Sequence, residues 1–354
     1  MQSNKAIGIM SGTSLDGLDI VLCEFTFRNK WDFSILKYQT IDYSADWQKK
    51  LSEAPKLNES DLSTLHVEYG VYIGESVLKF LKNIDSEIDL IASHGHTVFH
   101  QPEKGISLQI GDGNEIAKIT GITTISDFRS LDVSLGGQGA PLVPIGDMLL
   151  FSDYDYCINI GGFANISFDK NDSRLAYDIC PANIVLNSLS NQLGKEFDKG
   201  GKLGRLGKID KELLEEFNRL EYYSKNYPKS LGKEWLDTCF TPILKTFDIS
   251  IYDKMRTVYE HIAKQISISI PNDNNFKTLI TGGGAYNSFL IELLKQKTKS
   301  QIIIPEDTIV EYKEALIFAF LGVLRSENKV NCLSSVTGAE RDSSVGTIHL
   351  SDNS

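Results

Sequence analysis

Short apolar runs alternate with small, polar, glycine-bearing turns along the opening of this chain. Ala6–Met10 reads as a buried-type strand, Ile20–Phe27 as a second and Phe33–Thr40 as a third. The stretch joining the first two, Ser11-Gly-Thr-Ser-Leu-Asp-Gly-Leu-Asp19, carries hydroxyls and carboxylates, with Gly12 and Gly17 freeing its backbone. Leu62, Leu65, Tyr69, Tyr72 and Phe80 then recur at roughly helical spacing. A strand at Asp89–Ser93, a loop at His94–His100, a short helix around Gly113–Ile119 and a strand at Thr123–Asp127 complete the first half.

The second half repeats that order. Tyr156–Ile160 is a strand, Gly161-Gly162 a turn, Phe163–Phe168 a strand and Leu175–Ile179 a third. A helix from Pro181 and further helices to about Ser269 precede the strand Thr278–Thr281. Gly282-Gly283-Gly284 opens a helix to about Lys297, before a strand at Gln301–Pro305 and a helix from Glu311 to about Glu327. Two copies of strand–strand–strand–helix–strand–helix predict a duplicated α/β unit. The span Phe128–Pro144, with Gly136-Gly137-Gln138-Gly139, is the expected hinge or crossover, because glycines absorb the backbone rotation of lobe closure. A plain surface linker is the competing reading.

A chain of 354 residues exceeds one small core and suffices for two packed lobes. Its formal net charge of −11 argues against nucleic acid or an anionic membrane as the main partner, since both need a basic footprint. A small anionic ligand needs only local donors. Five cysteines, an odd number without a C-x-x-C pair, predict free thiols in a reducing compartment. No apolar run has the length of a membrane span or the layout of a signal peptide, so the expectation is a cytoplasmic enzyme.

Three glycine turns at the ends of apolar strands suit a nucleotide, because such turns aim amide N–H groups and hydroxyls at a phosphate. Taken singly, each is equally an ordinary turn. His94, His96 and His100 spell H-x-H-x3-H, yet no carboxylate or cysteine pattern supplies the remaining zinc ligands. Gly207-Lys208 lacks the glycine five residues earlier, where Lys202 stands, and the following Ser or Thr, which excludes a P-loop. Asp198-Lys-Gly-Gly-Lys-Leu-Gly204 reads as a cleft loop rather than a basic patch.

In combined order, Gly8–Asp19, Ser93–His100, Gln109–Gly113, Asp127-Phe-Arg129, Gly136–Pro144, Asn159–Gly162 with Ala164-Asn165, Gly282–Asn287 and Ser335–Ala339 resemble the anhydro-N-acetylmuramic acid kinase family. That family lies in the actin-like, sugar-kinase and heat-shock ATPase superfamily. The resemblance implies a two-lobed actin-like fold of duplicated ribonuclease-H-like units, each a mixed five-stranded sheet flanked by helices. The implied lobes are residues 1–130, joined by the extreme C-terminus, and 131–340, with ATP and sugar in the cleft between them. The implied reaction opens 1,6-anhydro-N-acetylmuramic acid with water and phosphorylates it from ATP with Mg²⁺, giving N-acetylmuramic acid 6-phosphate in peptidoglycan recycling.

Site residues carry over position by position. Asp178 is the implied catalytic base, while Thr97, Arg129 and Glu314 are implied for the sugar. Gly12, Thr13, Ser14, Asp16, Gly17, Gly161, Gly162, Asn165, Gly282, Gly283 and Gly284 are implied for nucleotide and phosphate, with Asp16 or Asp19 holding metal through water. A homodimer is implied by family likeness alone. Without the resemblance, Asp178 reads first as a helix cap, Arg129 as a surface ion pair and Glu314 as a first-turn helix glutamate. The chain departs from the family pattern at Ile179-Cys180, where Thr-Gly is usual, at Ala182 for Gly, at His96 for Gln and at Asn187 for Asp. Side chains added where backbone is expected to meet ligand motivate a rival reading, a nucleotide-binding sensor or sugar-binding relative with weakened or altered chemistry.

Overall fold

The computed structural model describes residues 3–12 and 15–351, so the expectations placed on Thr13 and Ser14 lie outside the described residues. In chain order the strands are β1 (Ser3–Ser11), β2 (Gly17–Phe27), β3 (Trp31–Asp42), β4 (Leu90–Gln101), β5 (Ile106–Ile110) and β6 (Thr124–Ser126). They continue as β7 (Tyr156–Ile160), β8 (Phe163–Lys170), β9 (Ser173–Pro181), β10 (Lys277–Thr281), β11 (Gln301–Ile303) and β12 (Thr347–His349). The helices that matter below are α1 (Glu59–Leu81), α2 (Gly113–Thr120), α3 (Ser130–Ser134) and α4 (Val143–Leu150). Four more follow: α5 (Asn183–Asn191), α6 (Ile251–Ser269), α7 (Ser288–Lys297) and α8 (Asp307–Ser326).

Two compact units result. One runs to Leu150 and resumes at Tyr312, and the other is Phe151–Glu311. Expected boundaries at 130 and 340 thus shift, with residues 131–150 and 312–340 staying in the first unit. The first sheet has the order β12-β6-β4-β1-β2-β3, with β5 on β4, and the second the order β11-β10-β7-β8-β9. In each, three strands form an antiparallel meander and two later strands add in parallel beside the first of them. The repeat expected from element order is therefore a repeat of topology, and the fold is the α/β class expected of duplicated units.

The first sheet has seven strands rather than five. The expected loop at His94–His100 is strand: β4 continues to Gln101 and returns as β5 through a turn closed by Gly105 at φ +71°. The extra edge strand β12 comes from the C-terminal segment and pairs antiparallel with β6.

Packing explains these elements. In α1 the residues Leu62, Leu65, Tyr69, Ile73, Val77 and Phe80 form one buried stripe against Ile7, Ile9, Ile20 and Ile91. On the first unit's other side α8 lies so close to β1 that a Cβ at Gly8 would stand 1.9 Å from the Ala315 carbonyl oxygen. Phe320 of α8 packs on Phe25 and Trp31. In the second unit Ile158, Ile160, Ile166 and Ile280 bury against Met255, Val258, Ile262 and Ile266 of α6. Each such side chain contributes about 1.5–3 kcal/mol relative to exposure.

Gly136–Gly139 is not a free hinge. Asp132, fully buried, accepts hydrogen bonds from the Gly139 N–H (2.7 Å), the Thr337 hydroxyl (2.7 Å) and the Cys332 thiol (3.2 Å). The Gln138 N–H donates to the Thr337 carbonyl at 2.9 Å. A Cβ at Gly137 would lie 2.2 Å from Asp132 Oδ2, so this glycine answers a carboxylate pressed against the backbone. Among the described residues no helix is long and apolar enough to cross a membrane, and all five cysteines are free.

Candidate active site

In the second unit one polar row crosses the sheet. Thr281 of β10 stands beside Asn159 of β7, Asn159 opposite Asn165 of β8, and Asn165 opposite Asp178 of β9. Directly opposed residues in antiparallel strands point to one face, so Asn159, Asn165 and Asp178 share a surface. The two glycine turns of this unit lie beside that row, Gly161-Gly162 between β7 and β8 and Gly282–Gly284 after β10.

Asp178 is half-buried. Its Oδ2 accepts the Leu231 N–H at 2.8 Å, and its carbonyl accepts the Tyr222 hydroxyl at 2.5 Å. Desolvation raises its pKa above the usual carboxylate range, and the Leu231 N–H opposes that rise. It caps no helix: β9 runs through Pro181, α5 starts at Asn183, and Ala182 stands at the N-cap position without a side-chain cap. Pro181 is thus the end of a strand, not the first turn of a helix. The helix amides are met instead by the Gly161-Gly162 turn. Ala182 and Ile184 N–H donate to the Gly162 carbonyl (2.8 and 3.2 Å) and Asn183 N–H to the Gly161 carbonyl (3.2 Å).

The three glycines after β10 have different reasons to be glycine. A Cβ at Gly282, whose φ is +79°, would lie 2.4 Å from Asn159 Oδ1, and one at Gly284 would lie 2.2 Å from Ile160 Cγ2. Only Gly283 is exposed. Beside this turn a hollow of about 500 Å³ is walled by Tyr286, Ser288, Ile291, Glu292, Lys295 and Ile304.

In the first unit Arg129 is half-buried rather than a surface ion pair. Its Nε and Nη2 donate to His94 Nε2 (3.1 and 2.8 Å) and its Nη1 to the Gly139 carbonyl (2.6 Å). Arginine can only donate, so His94 is neutral with its proton on Nδ1, which donates to the Gly95 carbonyl at 3.0 Å. Burial lowers the Arg129 pKa to about 10, opposed chiefly by Glu314, so the guanidinium stays charged at neutral pH with two N–H groups to spare. Glu314 lies well inside α8, which begins at Asp307, and not in its first turn. Water reaches this side chain and protein nevertheless crowds it. Desolvation raises its carboxyl pKa, with Lys313 and Arg129 opposing and Asp19 reinforcing. Glu314 thus feels the charges of both Arg129 and Asp19. Thr97, on β4, accepts from Gln109 Nε2 at 3.4 Å.

Near the first glycine turn, Asp19 accepts from the Thr40 hydroxyl at 2.6 Å. Gly17 is required where its Cβ would meet the Ile41 carbonyl at 2.8 Å. Asp16 is exposed and walls a hollow of about 470 Å³ with Leu15, Ala45, Gln48, Lys49 and Ser52. Gly12 follows Ser11, and Ser11 is held from behind: the Tyr43 hydroxyl donates to Ser11 Oγ at 2.8 Å, and His96 Nδ1 lies 3.1 Å from it.

The H-x-H-x3-H histidines do not converge. His94 serves Arg129, His96 serves Ser11 and His100 serves Ser107. Among the described residues no three His, Cys, Asp or Glu side chains are grouped to hold a metal. Burial keeps His94 well below its usual pKa, His96 at about 4 and His261 at about 3. These folded-state values lie below the unfolded value, so the unfolded chain takes up protons first as pH falls. Stability is therefore expected to decline from about pH 6.5 toward pH 4, with His96 alone costing on the order of 3 kcal/mol. Urea midpoints measured across that range test this. The His96→Gln variant should show a flatter decline, and an unchanged slope would contradict a buried neutral His96.

The family profile described as anhydro-N-acetylmuramic acid kinase matches residues 4–351. Relatives bearing that name align along nearly their whole length. The one from Aliivibrio fischeri is 35% identical over 98% of this chain and 99% of its own. Those from Sulfurovum sp. and Vibrio cholerae are each 34% identical, over 99% and 98% of this chain and 100% and 98% of their own.

This chain belongs to the anhydro-N-acetylmuramic acid kinase family.

It is accordingly a phosphotransferase that uses ATP. As a member of the anhydro-N-acetylmuramic acid kinase family it has its expected departures at Ile179, Cys180 and Ala182 facing the core. Ile179, Cys180 and Ala182 are 3%, 0% and 0% exposed and pack among Ile160, Val185 and Ile262. The expectation that they crowd a ligand is overturned, and with it the motive for the sensor reading. The cause is a bulge: Ala164 pairs with Cys180 but Asn165 with Asp178, so Ile179 is extra. Asn159, which opens one of the motifs carrying the resemblance, and Asp132, which stands before a glycine cluster, had no role expected from sequence. The segment holding Asp178, Lys229–Leu231, left no signal.

Proposed function

We propose that this chain opens the anhydro bridge of 1,6-anhydro-N-acetylmuramic acid with water and phosphorylates the freed oxygen. Asp178 is the base: it takes a proton from water as the water oxygen bonds to the anomeric carbon and the bond from that carbon to O6 breaks. O6 then bonds to the γ-phosphorus of ATP as the bond to the β-bridging oxygen breaks, releasing ADP, and Asp178 returns its proton to solvent. The observation that carries this reading is Asp178 itself, a half-buried carboxylate of raised proton affinity with one oxygen fixed by a main-chain N–H and the other left over.

Supporting roles follow from chemistry. Arg129 offers its two remaining N–H groups to the sugar's carboxylate or to phosphate. Thr97 and Glu314 are assigned to sugar hydroxyls. Gly12, Gly17, Gly161, Gly162, Asn165, Gly282, Gly283 and Gly284 are assigned to the nucleotide. Among these, Gly162 and Gly283 are exposed with room where a Cβ would stand, which suits close approach of a ligand to the backbone, and the hollow beside Gly283 suits the nucleoside. Mg²⁺ keeps several of its waters, which fits single carboxylates better than a caged site. Asp19 and Asp16 would hold it through water, where it neutralises phosphate charge.

Incubation of the protein with ATP, Mg²⁺ and the anhydro sugar is expected to yield muramic acid 6-phosphate and ADP in equal amounts, read by mass spectrometry. ATP binding without sugar-dependent ADP release would refute the reading.

A further inference from the structure

Asp178 is gripped by a segment 53 residues further along the chain. Its N–H donates to the Lys229 carbonyl at 3.3 Å, and the Leu231 N–H donates to its Oδ2. The same segment is pinned to the strand by aromatic contacts. Tyr227 stacks on Tyr177 with ring centroids 5.5 Å apart and planes 8° apart. Lys229 Nζ donates to the Tyr222 carbonyl at 3.2 Å and lies 4.7 Å from the Tyr222 ring centroid and 5.5 Å from that of Tyr177. Tyr222 in turn donates its hydroxyl to the Asp178 carbonyl. Backbone, carboxylate and flanking rings of Asp178 are thus all tied to one loop.

We propose that Asn226–Leu231 is a positioning strap for the Asp178 carboxylate, with Lys229 as its anchor. The proposal rests on Asp178 being the base, as above. With Oδ2 held by Leu231, the strap leaves Oδ1 as the oxygen that receives the proton, and it fixes the carboxylate plane against rotation. The titratable groups that interact with the Asp178 charge are Cys180 of its own strand and Tyr222 beside it; Tyr177 precedes it on the other face of the strand, and Lys229 lies in the strap. Burial pushes Tyr177, Tyr222 and Cys180 up, so they stay neutral. Burial also lowers Lys229. The strap's N–H favours the charged carboxylate, so loosening the strap raises the pH at which Asp178 becomes a base.

Lys229→Met keeps the stem on the rings and removes the ammonium. We expect its kcat to fall about ten-fold, with the acid limb of the kcat profile displaced upward in pH, ATP affinity unchanged and Lys229→Arg restoring much of the rate. Tyr227→Leu, which loosens the stack and leaves Lys229 in place, should move the limb the same way. A rate lost equally at every pH with the limb unmoved, or no loss in either variant, overturns the proposal. Full turnover in Asp178→Asn would instead remove the reading beneath it, whatever the strap variants do.

Discussion

Asp178→Asn is expected to cut sugar-phosphate formation by about 10²–10⁴-fold while ATP affinity stays largely intact. The variant separates chemistry from architecture. The amide oxygen can still accept the Leu231 N–H, and the backbone ties to Lys229 and Tyr222 do not involve the side chain. What disappears is the capacity to take a proton. A neutral amide also removes a desolvated charge, so the melting temperature should hold or rise slightly. Single-turnover product formation gives the first number and calorimetric ATP titration the second. Parallel loss of both would mean that the residue holds the sheet edge rather than the reacting water.

A second large effect is expected in stability. Asp132→Ala removes one acceptor group that satisfies three donors, the Gly139 N–H, the Thr337 hydroxyl and the Cys332 thiol, at a fully buried position. An orphaned buried donor costs about 1–3 kcal/mol, so a loss of roughly 3–5 kcal/mol is expected in urea unfolding. The damage should reach the sugar as well. The Gly139 N–H donates to this carboxylate, and the Gly139 carbonyl accepts from Arg129 Nη1. The KM for the anhydro sugar should therefore rise while that for ATP changes little. A loss below about 1 kcal/mol would show that water satisfies the donors and that the loop stands without its carboxylate.

The Asp132 cluster illustrates where sequence reading stops. Ser335–Ala339 and Gly136–Pro144 stand out as motifs, yet their mutual contact spans 205 residues between Asp132 and Thr337. Nothing local in either segment reports it, and the glycines were open to reading as a hinge. Only the packed unit shows that Gly137 is small because a carboxylate fills the space where its side chain would be. Arg129 is similar. Its residue type announced anion recognition, but its orientation comes from His94, on a strand that the sequence reading ended at Ser93 and that runs to Gln101.

The strands of the two meanders, the glycine turns after β7 and β10, the doubled α/β plan and the family were determined by the sequence itself. Periodicity and glycine placement are local constraints, and a chain of motifs in fixed order is specific even when each motif is weak. Tertiary structure alone decided the environment of Asp178, the loop that holds it and the inward burial of Ile179 and Cys180. One extra residue in β9 breaks the two-residue alternation, and partners distant in the chain meet only on folding. Facing, desolvation and hydrogen bonding are properties of the packed neighbourhood, so no reading of β9 by itself could supply them.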